Sequence, residues 1–559
     1  MRRGRLRLLF ALFAAASLVL TGRLAYWQTF GRAELLARAT DQVRSDLVVA
    51  AQRGIIRDRN GAILATTVEL RSLYALPSRI PKDERPRVAQ QLGVLLGRDA
   101  APILAALDSG AEWLYIQRWL PEETATAIAA LHVPGLGFQN EPKRLYPNDS
   151  IGAAVLGFVN DAGVGVNGVE GYYDSLLRGT DGRLVVERDP NNRDLAVGLR
   201  EAVAPRNGAD LTLTIDLVAQ TAAERELAAA VKKERATSGS ILVVDPSDGS
   251  IRALASAPTY DPAAVRLADP EALRDRAIAW PYEPGSTMKA MTIGAALNEH
   301  LVRPTDSYND VGYTIVGGRK LNNALDKAYG PTTVTQILER SLNAGAAWVG
   351  QKLGAQRLAD YFGRFGFGKP TGVDLAGEVS GTVRPLAEWY PVDVGTASFG
   401  QGVSVSPLQL AMAYAAIANG GTLYRPYVVT SRRDADGEHR TAPVAVSRVV
   451  TPDTAATVRG MLLATVDVGI AHNAAISGFS VAGKTGTAQI ASPDGSYLDD
   501  QYVSSFAGFF PAEDPKYVVV VVLEKPASRL LGTVTATDAF KGVAQDILRY
   551  ARIQPDRRP

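Results

Sequence analysis

The sequence predicts a mixed α/β (α+β) fold, helices flanking an antiparallel sheet, held at a membrane by one N-terminal span. Three observations carry this expectation. Short runs rich in β-branched and apolar residues, 241–245, 251–255, 479–487, 505–510 and 517–523, read as five strands, the first two joined by the turn Ser247-Asp248-Gly249. Segments with helical pattern, 216–233, 286–297 and 539–550, are interspersed with them, so both kinds of element are needed to close one core. Finally, Arg2, Arg3, Arg5 and Arg7 precede an almost unbroken apolar run.

That run, residues 8–27, is 20 residues long, about 30 Å as a helix, enough to cross a bilayer if Arg23 snorkels to the interface beside Tyr26 and Trp27. Counted only to Gly22 it is the length of a signal-peptide core, but no small-x-small cleavage site follows, which favours an uncleaved anchor. The arginines place residues 1–7 in the cytoplasm and the chain beyond about residue 30 outside. Residues 33–49 read as a juxtamembrane helix running into a strand, and Asn60-Gly61 between two alternating runs signals a hairpin. Residues 80–131 read as helical, punctuated by Pro81, Pro121 and Pro134. Arg144-Leu145-Tyr146-Pro147 then leads into the glycine-rich stretch 152–182, which includes Gly168-Val169-Glu170-Gly171 and implies tight turns. A boundary falls near Pro205-Arg206-Asn207-Gly208, after which Asp216 is a plausible cap for a helix running through Lys233.

Composition narrows the chemistry. Across 559 residues the 46% hydrophobic content suffices for large cores, and a net charge of +2 from 60 basic and 58 acidic residues gives no footprint for nucleic acid. The absence of cysteine excludes disulfides, thiolate metal sites and a thiol nucleophile. His132, His300, His439 and His472 are scattered without ligand spacing, which disfavours a zinc site or a Ser-His-Asp triad, so no cofactor or metal is expected.

The chain is organised around Tyr282-Glu283-Pro284-Gly285-Ser286-Thr287-Met288-Lys289. Pro284 and Gly285 break any preceding element, and from Ser286 onward the residues are small or apolar on nearly every side, the pattern of a helix buried all round. Ser286 and Lys289, three apart, share a face, with the hydroxyl at the N–H-rich end. On this spacing alone Ser286 is equally a helix cap and Lys289 a surface lysine. Against that, it is the only Ser-x-x-Lys in the chain, and its helix has no evident solvent face. A lysine in such a helix loses solvation when charged, which lowers its pKa and makes the neutral amine available as a base for the hydroxyl.

Three short motifs occur in order: Ser286-Thr287-Met288-Lys289, Ser341-Leu342-Asn343 and Lys484-Thr485-Gly486-Thr487. Together they resemble the penicillin-recognising serine transferases and hydrolases. The neighbourhoods 53–65, 144–147, 168–173, 245–249, Phe367-Gly368-Lys369-Pro370-Thr371-Gly372 and Gly400-Gln401-Gly402-Val403-Ser404 narrow the resemblance to class B penicillin-binding proteins. Within these the chain looks most like the division-specific, FtsI-type D,D-transpeptidases, with the elongation-specific relatives as close rivals. The resemblance covers residues 23 to about 550. It departs from the family pattern at Thr537-Asp538-Ala539-Phe540, which leaves the packing of the last helix open.

The resemblance implies a serine transpeptidase/β-lactamase-like domain with a five-stranded antiparallel sheet over residues 205–552, raised on an elongated pedestal, residues 45–204, above the anchor. It implies Ser286 as nucleophile, Lys289 as its base, Ser341 and Asn343 as proton relay and substrate-amide holder, and Lys484, Thr485, Gly486 and Thr487 as the carboxylate-binding strand. The implied partners are peptidoglycan stem peptides, β-lactams as inhibitors, the membrane, a SEDS-type glycan polymerase and other divisome membrane proteins. Three alternatives stay open: a D,D-carboxypeptidase or β-lactamase, a β-lactam sensor, and a scaffold that activates a glycan polymerase. Ser307-Tyr308-Asn309 also has the Ser-x-Asn form, but Pro304, Asp306 and Asp310 mark it as an exposed loop, so the site is assigned to Ser341 and Asn343 and Asn309 to the surface.

Overall fold

The computed structural model describes residues 2–34, 44–187, 200–492, 496–527 and 529–557. They form two compact units. The first, Met1–Arg53 with Arg178–Gly208, contains the helix Arg2–Thr29, exposed along its length, with a most apolar window of mean hydropathy 2.0. By length and composition this helix can cross a membrane. The same unit holds a three-stranded antiparallel sheet in which Gly182–Glu187 lies between Arg44–Val49 and Arg200–Val203. Arg44–Val49 is the strand expected after the juxtamembrane helix; that helix falls largely on 35–43, outside the described residues.

The second unit is Gly54–Leu177 with Ala209–Pro559. Strands β1 (Ile56–Arg57) and β2 (Ile63–Ala75) form the hairpin signalled by Asn60-Gly61. The Asp58 carboxylate accepts the N–H groups of Asn60 and Ala62, each at 2.8 Å, and Gly61 sits at φ +92°, a conformation open to glycine. The long strand β2 pairs with both β3 (Leu114–Leu120) and β4 (Leu136–Leu145).

Strand β3 corrects the expectation that 80–131 is helical throughout. The helices Arg85–Leu96, Ala100–Leu107 and Glu122–Ala129 are there, but Tyr115, Ile116 and Trp119 favour a pleated surface, and β2 offers them a partner. Val88, Leu92, Ile103, Leu107 and Ile128 pack with Leu73 and Ile116 in one core.

β1 also runs parallel to β5 (Asp210–Leu213), which in turn pairs with Val429–Asp434. One sheet thus joins stretches of chain far apart in sequence. Beneath it the Arg144 Nε–H donates to Glu170 Oε1 at 2.7 Å and Nη1–H to the Gly54 carbonyl at 2.7 Å, both side chains being buried. A charge so placed is tolerated only while its partner remains. The turns expected around it are real: at Gly157 (φ +74°) a Cβ would lie 2.2 Å from the Asn167 carbonyl oxygen.

The five expected strands form one antiparallel sheet. With β6 (Ser238–Val244), β7 (Ile251–Ala257), β8 (Ala482–Ala491), β9 (Tyr497–Phe510) and β10 (Tyr517–Glu524), the order is β7-β6-β10-β9-β8. The central strands β6 and β10 are buried nearly throughout, which is why they read as continuous apolar runs and not as alternation. Helix α1 (Leu217–Glu234), capped by Asp216 Oδ1 accepting the Val218 N–H, and the C-terminal helix Arg529–Tyr550 contribute Leu227 and Phe540 to a cluster with Ile241, Val243 and Phe506. Leu242, Val244 and Val520 point the other way, into a cluster with Met288, Ile293 and Leu410. The departure from the family pattern near Phe540 is accommodated: that ring is fully buried, its centroid 4.7 Å from that of Phe506.

Candidate active site

The chain reaches Ser286 through a turn fixed by backbone bonds. Tyr282 exchanges N–H and C=O bonds with Val405 (3.0 and 2.9 Å), and the Gly285 N–H donates to the Gly400 carbonyl at 3.1 Å. Gly285, at φ +56°, turns the chain into one 3₁₀ turn, Gly285–Met288, which leads into α2 (Lys289–Asn298). Ser286 therefore sits one turn ahead of the α-helix. In a 3₁₀ turn side chains three apart eclipse, and Lys289 Nζ lies 3.0 Å from Ser286 Oγ. Every residue from Lys289 to Leu297 is buried, as the all-round apolar pattern implied.

The second group arrives on a different piece of chain. Helix α3 (Val334–Glu339), opened by a capping box of Thr333 and Gln336, ends at Ser341, which adopts the left-handed conformation (φ +57°) before α4 (Asn343–Leu353). This turn aims three acceptors at Lys289 Nζ: the Ser341 carbonyl oxygen at 2.7 Å, Ser341 Oγ at 3.3 Å and Asn343 Oδ1 at 2.8 Å. Asn323 holds the turn, its Oδ1 accepting the Ala344 N–H at 2.9 Å while its Nδ2–H donates to buried Asp310.

Ser307-Tyr308-Asn309 is not the exposed loop that its flanking residues suggested. It lies in a short strand, Ser307–Asp310, paired with Gly330–Thr333, because Tyr308 finds a partner in Trp348, ring centroids 5.2 Å apart. Ser307 and Asn309 remain exposed.

The third group lies along β8. Gly486 is pressed against the Ser286 turn: a Cβ there would come 2.4 Å from Ser505 Oγ and 2.9 Å from the Pro284 carbonyl oxygen. From the other side, a Cβ on Gly285 would meet the Thr487 carbonyl oxygen at 2.8 Å. Lys484 is fully buried, its Nζ 3.2 Å from the Thr485 carbonyl oxygen and 3.3 Å from Thr485 Oγ1. Burial pushes the Lys484 ammonium down to about 7. Lys289 also lies well below the ordinary lysine range, first because it is buried and second because the Lys484 charge repels a second cation.

Sequence reasoning singled out the Gly400-Gln401-Gly402 run without giving it a task. A Cβ on Gly400 would lie 2.3 Å from the Gly285 carbonyl oxygen, so this glycine lets a second loop support the Ser286 turn. The Glu283 carboxylate adds another tie, accepting from the Gly402 N–H at 2.8 Å and the Tyr497 hydroxyl at 3.1 Å. The glycine spacing was the available signal.

A hydroxyl beside a dry, readily deprotonated amine, at the edge of an antiparallel sheet between helical layers, defines a serine acyltransferase of the Ser/Lys type. The comparisons agree. The family model described as "Penicillin binding protein transpeptidase domain" matches residues 239–548, and "Penicillin-binding Protein dimerisation domain" matches residues 48–213. Stage V sporulation protein D of Bacillus subtilis is 33% identical over 99% of this chain and 86% of its own length. The peptidoglycan D,D-transpeptidase FtsI of Escherichia coli is 32% identical over 99% of this chain and 92% of its own. Among solved structures, penicillin binding protein 3 of Mycobacterium tuberculosis in complex with aztreonam superposes with a TM-score of 0.71 at 27% identity, covering 91% of this chain and 98% of that one. The chain belongs to the class B penicillin-binding proteins, serine-type D-Ala-D-Ala transpeptidases.

Proposed function

We propose that this chain cross-links peptidoglycan stem peptides during septal wall synthesis, with Ser286 as the acylated residue. The observation that carries the reading is the placement of Lys289 Nζ, buried and within 3.3 Å of Ser286 Oγ, Ser341 Oγ and Asn343 Oδ1. A neutral amine there accepts the Ser286 proton through its lone pair as Oγ attacks the carbonyl carbon of the penultimate D-alanine. The backbone N–H groups of Ser286 and Thr487 face the developing oxyanion. As the C–N bond breaks, Ser341 relays the proton to the leaving nitrogen, and terminal D-alanine departs from an ester on Ser286. Lys484, Thr485 and Thr487 hold the substrate's terminal carboxylate, and Asn343 holds an amide of its acyl part. An amine from a second stem attacks the ester, its surplus proton returns through Lys289, and Ser286 is regenerated.

Purified full-length protein given stem-peptide substrate should release D-alanine with formation of peptide dimers. Release without dimers would make it a carboxypeptidase, and acylation without turnover a sensor.

The position of Asn343 yields a paired expectation. Losing it leaves a substrate amide unpaired in a dry site, which costs about 1–3 kcal/mol, roughly ten- to a hundredfold in acylation rate. Asn343→Ala should slow penicillin acylation by that order, while Asn309→Ala, on an exposed strand, should leave it nearly unchanged. The reverse ranking would reassign the second motif to Ser307 and Asn309.

The apolar helix and the N-terminal arginines support a single-pass protein of the cytoplasmic membrane: residues 1–7 inside, 8–27 spanning, a pedestal over 45–204 and a catalytic domain over 205–552, both outside. Similarity to FtsI and to a sporulation protein favours septal work beside a SEDS-type polymerase over elongation. Depletion should then give filaments, where rounded cells would mean elongation. Protease added to spheroplasts should remove the large domain.

A further inference from the structure

Residues 303–352 carry six basic against four acidic side chains, a net charge of +2 and so as large as that of the whole 559-residue chain. Among the described residues none of the six cations (Arg303, Arg319, Lys320, Lys327, Arg340 and Lys352) pairs with a carboxylate. Four of them lie over aromatic rings instead. Lys320 Nζ is 4.3 Å from the Tyr313 ring centroid, Lys327 and Arg340 are 4.9 and 5.1 Å from that of Tyr329, and Lys352 is 4.8 Å from that of Trp348. A cation on a ring is held in place without being neutralised, so its charge stays available to a partner.

The acids of this stretch do not cancel the field. The Asp310 carboxylate is buried and held by Asn323, Gly312 and Tyr329 N–H groups, not by a cation, and the four acids together still leave the stretch at +2. The same stretch exposes Val311, Tyr313 and Ile315, by 38 to 59%, on and beside the hairpin Tyr313–Val316 and Arg319–Asn322.

This surface is anchored on the second motif. Asn343 Nδ2–H donates to the Asn322 carbonyl at 3.3 Å and the Ala344 N–H to Asn323 Oδ1, so the strand bearing Arg319 and Lys320 springs from the residues around Lys289. Its length carries Arg319 roughly 10 Å beyond that anchor.

We propose that this basic, aromatic-studded face is the docking surface for the wall polymer itself: a glycan strand bearing many carboxylate-terminated stem peptides, drawn in beside the site that reacts with one of them. The inference rests on the transpeptidase reading, since each unreacted stem ends in a carboxylate and a strand of stems is a polyanion. Exposed cations attract such a partner over about a Debye length, and salt weakens the attraction. Small penicillins reach Ser286 without using the face.

The test compares full-length protein in detergent with the triple variant Arg319→Glu/Lys320→Glu/Lys327→Glu. The variant should be acylated by fluorescent penicillin at the wild-type rate but pellet with purified peptidoglycan sacculi at least about tenfold more weakly at low salt. Wild-type pelleting should fall as salt rises, and Arg319→Lys/Lys320→Arg/Lys327→Arg should behave as wild type. Sacculus binding unchanged in the glutamate variant overturns the proposal; so does a wild-type pelleting curve indifferent to salt, a result that needs no variant. Loss of binding to phosphatidylglycerol vesicles with sacculus binding intact would give the face to lipid and also overturn it. Failure of the transpeptidase reading is seen separately, as wild-type protein that takes up no penicillin.

Discussion

Ser286→Ala should abolish covalent labelling by a fluorescent penicillin and leave the thermal unfolding midpoint close to that of the wild type. The strained lactam presents an electrophilic carbonyl and a neighbouring carboxylate in the arrangement expected of the stem peptide, so under the proposed mechanism the same hydroxyl attacks both. Removing one oxygen deletes the proposed nucleophile. It does not disturb the fold, because the turn is held by the Gly285–Gly400 and Tyr282–Val405 backbone bonds and by the Tyr414 hydroxyl donating to the Thr287 carbonyl at 2.9 Å. Gel fluorescence and a melting curve on the same preparation check both halves. Labelling that survives with an intact melt would mean that another side chain is acylated.

Lys289→Met should lower the acylation rate by about 10²- to 10⁴-fold, the range set by loss of a positioned general base. Methionine has nearly the length of lysine and suits a helix buried on all sides, so the loss reports the amine. The pH profile gives an independent reading. In its proposed role the amine works only when neutral, so the wild-type rate should climb as pH rises through the lowered pKa of Lys289. It should fall again as Lys484 loses its proton near 7 and with it the charge proposed to attract the substrate carboxylate. Lys484→Arg keeps that charge at high pH, so the descending limb should move upward while the ascending limb stays. Stopped-flow acylation from pH 5 to 10 separates the two, and a flat profile in the wild type would take both lysines out of these roles.

By itself the sequence determined the elements whose signals are local. The helix over 8–27 is legible because its residues are apolar over a length sufficient to cross a membrane, and the five sheet strands announce themselves because each is a short run of the right residues between turns. The Ser286–Lys289 contact is local too: three residues in one turn bring the groups together whatever else the chain does. Residues 80–131 show where this fails. Tyr115, Ile116 and Trp119 carry a strand tendency, but a strand between helices is decided by the edge it meets, here β2, and no window of sequence contains that edge. The same holds for 307–310, where pairing with Gly330–Thr333 made a strand of an expected loop.

Only the tertiary structure decided the rest of the site. Asn343 reaches Lys289 from 54 residues away because α3 stops at a left-handed serine and turns its acceptors onto an amine inside another helix. Gly400 matters because a loop from beyond residue 390 passes within a methyl group's width of Gly285, and Arg144 matters because Glu170 is buried beneath it. The pKa of Lys289 follows from the same convergence. A lysine's neighbours in sequence can make it apolar on one helix, but the desolvation that frees its lone pair requires the packing of every element around it, and the repulsion that assists requires Lys484, which comes nearly two hundred residues later.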